Sequence, residues 1–281
     1  MSPTPARRDV FFLGEGDDAR YCLLTSAPQS RGAILFVHPF AEEMNRSRRM
    51  VCLAAQAFAA QGWSVLQMDL HGCGDSEGDF GDASWGNWLS DLDRAHAWLQ
   101  QQGHTRVALW SLRAGSLLAS DWLARRHAAQ PSLPGMPWLC WQAVFNGAQY
   151  LTQFLRIRLG ADLATSPQSS HVLSELRNAL KAGEAISVGG YWLNAGLAQS
   201  LGQSQLRQPP LPSPMTLLEV AGGAQPELSP VASSWVDKAG AAGLAVNARA
   251  VSGAKFWQSP EVETAPELIA ASLPSLQAWA T

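Results

Sequence analysis

Residues 107–119 place a short apolar run, a tight turn and a helical pattern in immediate succession. The apolar run predicts a buried strand, and the leucines that follow the turn predict one apolar face of a helix. That order is typical of a nucleophile elbow, in which a Gly-x-Ser-x-Gly motif presents a serine at the apex of the turn. Here Ser111 and Gly115 occupy the two glycine positions, and Arg113 occupies the position of the serine.

The arginine changes what this turn could do. An apex residue lies in a strained backbone region, and the crowded chain around it requires small neighbours, which Ser111, Gly115 and Ser116 provide. A guanidinium stays protonated at ordinary pH, so Arg113 is neither a nucleophile nor a base. The spacing therefore predicts the shape of an elbow without its usual chemistry. A planar guanidinium at a helix N-terminus would instead suit binding of a carboxylate or phosphate.

Two other side chains could take the place of the missing nucleophile. Ser111 lies two residues before the apex, where a small residue packed under the turn is a simpler interpretation than a catalytic one. Cys73 lies in a glycine-rich segment after another apolar run. A reactive thiolate needs a positive neighbour, which Arg113 or His71 could supply, although a small residue in a tight turn also explains Cys73.

The histidine and acid that accompany a serine nucleophile are also incomplete. The segment Ser252–Trp257, after the last predicted strand, contains no histidine, and no histidine follows His171. Glu219 and Glu227 flank the place where the acid follows the elbow in such enzymes, and Glu227 fits better because it lies in a loop. With no histidine to orient, Glu227 is expected to pair with Arg113. Two independent losses predict the absence of serine-hydrolase activity.

Backbone donors for a developing negative charge remain possible. The apolar run 33–37 is followed by His38, Pro39 and Phe40. In enzymes with an elbow, one N–H from this loop and one from the residue after the apex hold the oxyanion. Phe40 and Ala114 could supply both donors, whereas proline has no N–H. His38 is expected to brace the loop through hydrogen bonds, because no nucleophile lies beside it.

The elements around these residues alternate between strands and helices, which predicts a mostly parallel sheet covered by helices on both faces. Residues 147–210 carry helical patterns without a strand signal, and we interpret them as a cap insertion at the carboxyl edge of the sheet. This cap segment interrupts a core formed by residues 1–146 and 211–281. At most one of Arg156 and Arg158 is expected to face the cleft, since residues two apart do not share a helix face. The predicted strands are 10–13, 21–24, 33–37, 63–68, 107–110, 138–145, 215–220 and 245–251. The predicted helices are 47–60, 85–102, one from 114 onward, 150–159, 172–180, 193–201, one near 235 and 266–279.

Composition excludes several functional classes. The 281 residues are 47% hydrophobic and 15% charged with a net charge of −3, and no run of like charges predicts nucleic-acid binding. No apolar run is long enough for a membrane span, and no secretory signal is evident at the start. The four cysteines lack metal-like spacing, so no metal or cofactor is expected and a cytoplasmic location is predicted.

Taken together, these segments resemble the α/β-hydrolase fold from about residue 10 to the end. More narrowly, four segments resemble the type 2 hydrolase-like proteins associated with exosortase A systems: residues 37–45, 69–82, 110–115 and 151–158. The resemblance implies a central sheet with a helical cap and an arginine at the elbow. It also implies partners among proteins of exopolysaccharide biosynthesis and exosortase-linked protein sorting in Gram-negative bacteria. It does not imply a substrate.

Two functional hypotheses follow. In the first, the protein has lost hydrolase chemistry and binds a small, anionic molecule through Arg113, or acts as an accessory protein. In the second, it is a hydrolase or acyltransferase acting on an ester, thioester or peptide with a non-standard site. A nucleophilic side chain within hydrogen-bond reach of a base in the cleft would favour the second hypothesis.

Overall fold

A computed structural model describes residues 6–159, 168–210, 213–223 and 225–279. The strands are β1 Arg7–Leu13, β2 Arg20–Ser26, β3 Gly32–Val37, β4 Trp63–Met68, β5 Val107–Leu112, β6 Trp138–Trp141, β7 Ile186–Val188, β8 Tyr191–Leu193, β9 Met215–Ala221 and β10 Val246–Ser252. The helices are α1 Ala41–Ala60, α2 Trp85–Gln101, α3 Gly115–Ala129, α4 Gly147–Arg156, α5 Gln168–Lys181, α6 Ala195–Gln203, α7 Pro230–Ala241 and α8 Pro266–Trp279.

Eight of the strands form one sheet in the order β1-β2-β4-β3-β5-β6-β9-β10. The six neighbouring strands β4, β3, β5, β6, β9 and β10 run parallel. At one end of the sheet, β2 pairs antiparallel with β4, and β1 pairs antiparallel with β2. Apolar side chains form one cluster with α1 and α8 and a second cluster with α2 and α3. The predicted fold class, a mostly parallel sheet between helices, is confirmed. No helix among the described residues is long and apolar enough to cross a membrane.

The predicted elbow lies near the middle of this sheet. β5 extends to Leu112, Arg113 has a φ of 53°, and α3 begins at Gly115. A Cβ atom built on Gly115 would lie 2.1 Å from the carbonyl oxygen of Val37 on β3, so only glycine fits there. The Ser116 hydroxyl donates a hydrogen bond of 2.6 Å to the carbonyl of Arg113 and thereby closes the turn.

Three differences from the sequence-based expectations bear on the site. α1 begins at Ala41 rather than near Ser47, so its first turn contains Glu42 and Glu43. The predicted strand 138–145 ends at Trp141, and the next residue, Gln142, has a φ of 44°. The cap segment contains a short hairpin, β7–β8, in addition to α4, α5 and α6. None of its described strands joins the main sheet.

Candidate functional site

Arg113 forms an ion pair with a residue of the first turn of α1. Its Nε and Nη2 atoms lie 3.1 and 3.0 Å from Oε1 of Glu43. The side chains are only 11% and 18% exposed, so the pair is largely shielded from water. Because α1 begins directly after the loop His38–Phe40, this glutamate reaches the elbow from the neighbouring strand β3.

Two aromatic rings flank the guanidinium. Its central carbon lies 5.5 Å from the ring centre of Tyr150 on α4 and 5.6 Å from that of Trp257, distances typical of cation–π contacts. The Tyr150 hydroxyl donates a hydrogen bond of 2.7 Å to Oε2 of Glu43. Burial and the charge of Glu43 raise the pKa of Tyr150 well above its usual value, so the phenol stays protonated and remains a donor. Trp257 lies in the segment after β10 where a serine hydrolase would carry its histidine.

A cavity of about 280 Å³ opens beside this cluster, and we call it the elbow cleft. Among the described residues, its lining contains no serine, threonine, cysteine or histidine. Its charged lining residues are two carboxylates and two guanidinium groups, so the cleft is close to neutral overall. The lining residues are Phe40, Ala41, Glu42, Glu43, Arg46, Arg113, Tyr150, Gln153, Phe154, Ile157, Trp257 and Gln258.

The two predicted oxyanion donors lie at helix starts. Phe40 directly precedes α1, and Ala114 directly precedes α3. Within the described part of the chain, neither backbone N–H donates a hydrogen bond to another residue. Both groups lie where the helix dipole favours negative charge, but only Phe40 belongs to the lining of the elbow cleft.

His38 braces the loop, as predicted. Its Nε2 accepts a hydrogen bond of 3.1 Å from the N–H of Leu70, so its Nδ1 carries the proton and donates to the carbonyl of Pro39 at 2.5 Å. Burial lowers the pKa of His38, which keeps the ring neutral. With both nitrogens engaged inside the protein, His38 is not free to act as a base.

Ser111 does not reach the elbow cleft. Its side chain is completely buried beneath the turn, where the hydroxyl accepts a 2.9 Å hydrogen bond from Nε1 of Trp138 and lies 3.6 Å from Sγ of Cys140. This position corrects the suggestion that Ser111 could be catalytic. A residue two positions before the apex still belongs to β5, and its side chain points into the core.

Glu227 does not pair with Arg113, so that prediction is wrong. Glu227 is exposed, and the guanidinium binds Glu43 instead. Glu219 is buried at 4% exposure and accepts hydrogen bonds from the backbone N–H and the hydroxyl of Ser229, the residue that caps α7. Neither glutamate of this region lines the elbow cleft.

Cys73 also lacks the environment of a reactive thiol. It is 4% exposed, and burial together with the charges of Asp69 and Asp91 raises its pKa, which disfavours the thiolate. Of the two positive neighbours predicted for it, Arg113 or His71, Arg113 pairs with Glu43. In the cap segment, Arg156 and Arg158 are both exposed, as expected for solvated side chains.

A second contact between the cap segment and α1 was not predicted. The Tyr191 hydroxyl on β8 donates to Oε1 of Glu42 at 2.8 Å and accepts from Nδ2 of Asn45 at 2.9 Å. Burial and the bond to Glu42 raise the pKa of Tyr191 to about 12. Adjacent carboxylates, Glu42 and Glu43, therefore each accept a hydrogen bond from a tyrosine of the cap segment. The Glu-Glu pair after His38–Phe40 was the sequence signal for this cluster.

Comparisons with known proteins agree with the observed fold. Residues 28–137 match the family model described as serine aminopeptidase S33, a stretch that includes the elbow. No curated protein is significantly similar in sequence.

Solved structures extend the similarity to nearly the whole chain. Est1E from Butyrivibrio proteoclasticus, solved with ferulic acid bound, gives a TM-score of 0.62 at 13% identity, over 95% of this chain and 98% of that one. Proline iminopeptidase from Mycobacterium smegmatis gives 0.57 at 16% identity, over 97% and 99%. Alpha/beta hydrolase domain-containing protein 10 from mouse gives 0.58 at 13% identity, over 96% and 97%. At these identities the similarity concerns the fold.

Proposed function

Because the chain has the α/β-hydrolase fold with a guanidinium at its elbow, we propose that it binds a small molecule in the elbow cleft without hydrolysing it. One observation carries this proposal. Arg113 lies at the turn between β5 and α3, where the proposal places the lost nucleophile, and its side chain is held by Glu43 and by the rings of Tyr150 and Trp257. A serine-type attack has no nucleophile at this point, and the described lining of the cleft offers no histidine to activate one.

The chemistry of the cleft suggests the kind of ligand. Nε and Nη2 of Arg113 face Glu43, while Nη1 makes no hydrogen bond to any described residue. This donor and the backbone N–H of Phe40, which lines the cleft, suit a carbonyl or carboxylate oxygen. The rings of Tyr150 and Phe154 suit an apolar body. An anionic ligand must share the guanidinium with Glu43, so we propose a single oxygen-bearing group rather than a multiply charged phosphate.

Binding can be tested with benzoate as the probe, using isothermal titration calorimetry. We expect benzoate to bind the natural protein and to lose most of its affinity for the variant R113S. The variant R158S removes an exposed arginine of the cap segment and should bind like the natural protein. Equal binding to all three proteins, or to none of them, would count against a role for Arg113 in ligand recognition.

The absence of hydrolysis is a separate prediction. A fluorophosphonate probe should not label the protein, and short p-nitrophenyl esters should not turn over above background, because no activated serine faces the cleft. Intact-protein mass spectrometry measures the labelling directly, with an active serine esterase as the positive control. Stoichiometric labelling would contradict the proposal and favour a non-standard hydrolase or acyltransferase. The free N–H groups of Phe40 and Ala114 are the observation that supports this alternative.

Proteins of exopolysaccharide and exosortase systems stay proposed partners, on the resemblance of four segments. This link is tested in a host strain whose gene encodes R113S in place of the natural protein, by comparing its polymer yield with that of the natural strain. Altered polymer yield with unchanged protein level would support it, and unchanged polymer would count against it.

A further inference from the structure

The two edges of the main sheet differ in what they expose. β10 forms one edge, and its exposed side chains are the polar Asn247, Arg249 and Ser252. β1 forms the other edge, and it exposes the apolar side chains of Val10, at 59%, and Phe12, at 55%. An edge strand offers unpaired backbone N–H and C=O groups, and proteins usually blunt such edges with charge, proline or bulges. β10 has a charge near its centre, whereas β1 has none beyond its first three residues.

The exposed apolar positions of β1 lie on one face of the sheet. Val10 pairs with Leu23 and Phe12 pairs with Tyr21 on β2, and the rings of Phe12 and Tyr21 meet edge to face at 5.9 Å. The opposite face of β1 is covered, since Phe11 stacks on Trp98 of α2 at 4.7 Å. With respect to the described residues, the strand is therefore packed on one face and open along both its outer edge and its other face.

The sequence of β1 is complementary to itself in one antiparallel register. A two-fold axis perpendicular to the sheet, midway between the two copies of Val10, pairs all seven residues of Arg7–Leu13 with residues of the second copy. An axis through Asp9 or Phe11 pairs fewer residues. The register at Val10 sets the two Val10 side chains opposite each other and places Arg8 of one copy opposite Phe12 of the other on the open face. That arrangement separates the arginines of the two copies and forms two cation–π pairs.

We propose that β1 pairs antiparallel with β1 of a second copy of this chain, so that the sheets of the two copies form one continuous sheet. The interface covers Val10 and Phe12 of both copies and satisfies the outer backbone groups of both strands. Because a single strand pair buries less surface than a typical permanent dimer, the association is weak and depends on concentration. The proposal is independent of the elbow cleft, which lies at the carboxyl ends of the central strands.

Disulfide trapping tests the register. The test is made in the background C52S, since Cys52 lies 3.4 Å from Arg8. In the proposed register the two Val10 Cα atoms are about 4.5–5.5 Å apart, so V10C should form a covalent dimer under mild oxidation. Two copies of F12C should not cross-link, because the paired strands place them about 14 Å apart. A mixture of F12C and R8C should cross-link. The control V231C carries the same change at a residue of α7 that is 53% exposed, and it should stay monomeric.

Self-association without cross-links is measured by sedimentation velocity over a range of concentrations. V10K places an ammonium group at the centre of the interface and should weaken the dimer by about tenfold or more. V231K adds the same charge away from β1 and should leave the dimer unchanged. A protein that stays monomeric at its highest soluble concentration would overturn the proposal. A dimer that V10K does not weaken, or F12C cross-linking as readily as V10C, would also overturn it.

Discussion

At the residue scale, Arg113 places a positive charge at the turn between β5 and α3, and Glu43 compensates it. The variant R113S should leave Glu43 largely buried with only the Tyr150 hydroxyl as a partner. We expect a loss of about 1–3 kcal/mol in the free energy of unfolding, because a shielded polar group then lacks its partner. Urea unfolding followed by tryptophan fluorescence measures this loss.

The matched control removes an arginine from a solvent-exposed pair. In the variant R7S, Asp9 loses its contact with Arg7, but the Arg7 side chain is 80% exposed, so the unfolding midpoint at low, monomeric protein concentration should not change. The double variant R113M/E43Q should be less destabilised than the sum of its single changes, since neither remaining group then carries an unpaired charge. Additive single effects would show that Arg113 and Glu43 do not depend on each other.

At the element scale, the elbow depends on how closely α3 approaches β3. The variant G115A adds a methyl group 2.1 Å from the Val37 carbonyl oxygen, so α3 must move away from the sheet. We expect a loss of stability of several kcal/mol, on the order of severe overpacking in a core. Gly240 in α7 has no atom within 4 Å of its added Cβ and lacks a positive φ. G240A should therefore leave stability unchanged or raise it slightly. Equal effects of the two changes, measured by thermal unfolding, would contradict this account.

At this scale too, the sequence predicts the bounds of buried strands better than the start of a helix or the presence of a short hairpin. The bounds predicted for β4, β5 and β9 lie within two residues of the observed ones, because a continuous apolar segment indicates where a buried strand begins and ends. The start of α1 was missed by six residues: Phe40 gives no side-chain cap, and Ala41 adopts a φ of 54° that no local pattern indicates. The hairpin β7–β8 was missed because its strands have only three residues each. The pair Gly189–Gly190 between them was a signal that could have predicted it.

At the scale of the whole molecule, buried histidines should make stability depend on pH. Burial lowers the pKa of His38, and burial with the nearby Arg126 charge lowers that of His96 to about 4. Above the unfolded value of about 6.5 both states are neutral, so these groups have no effect there. As the pH falls from 6.5 toward 4, the unfolded chain binds protons that the folded chain does not, and stability decreases.

The contribution of one ring can be isolated by comparing pH profiles. H96F keeps an aromatic ring beside Trp122 and should reduce the slope of unfolding free energy by up to about 1.4 kcal/mol per pH unit between pH 6.5 and 4. H171F, at an exposed residue of α5, is the matched control for the substitution itself. Identical slopes for H96F and the natural protein would contradict the predicted effect of burial.

The candidate site shows where prediction from sequence stops. The spacing of Ser111 and Gly115 was enough to identify Arg113 as the apex, because steric crowding restricts both neighbours to small residues. The prediction that Glu227 is the partner of Arg113 was wrong, because Glu43 comes close to Arg113 only when α1 starts at Ala41. Tyr150 and Trp257 were missed for a related reason. Each belongs to a different element, and only the folded arrangement of α4 and the segment after β10 brings their rings to the guanidinium.

The adjacent carboxylates Glu42 and Glu43 connect the elbow to α4 and β8 by way of the first turn of α1. A ligand that draws the guanidinium away from Glu43 changes the charge beside the Tyr150 hydroxyl and so changes how strongly α4 is held. Occupancy of the elbow and the position of the cap segment are then thermodynamically coupled. Coupling of this kind is reciprocal, so fixing α4 against α1 must alter ligand affinity by the same factor by which the ligand alters the docking of α4.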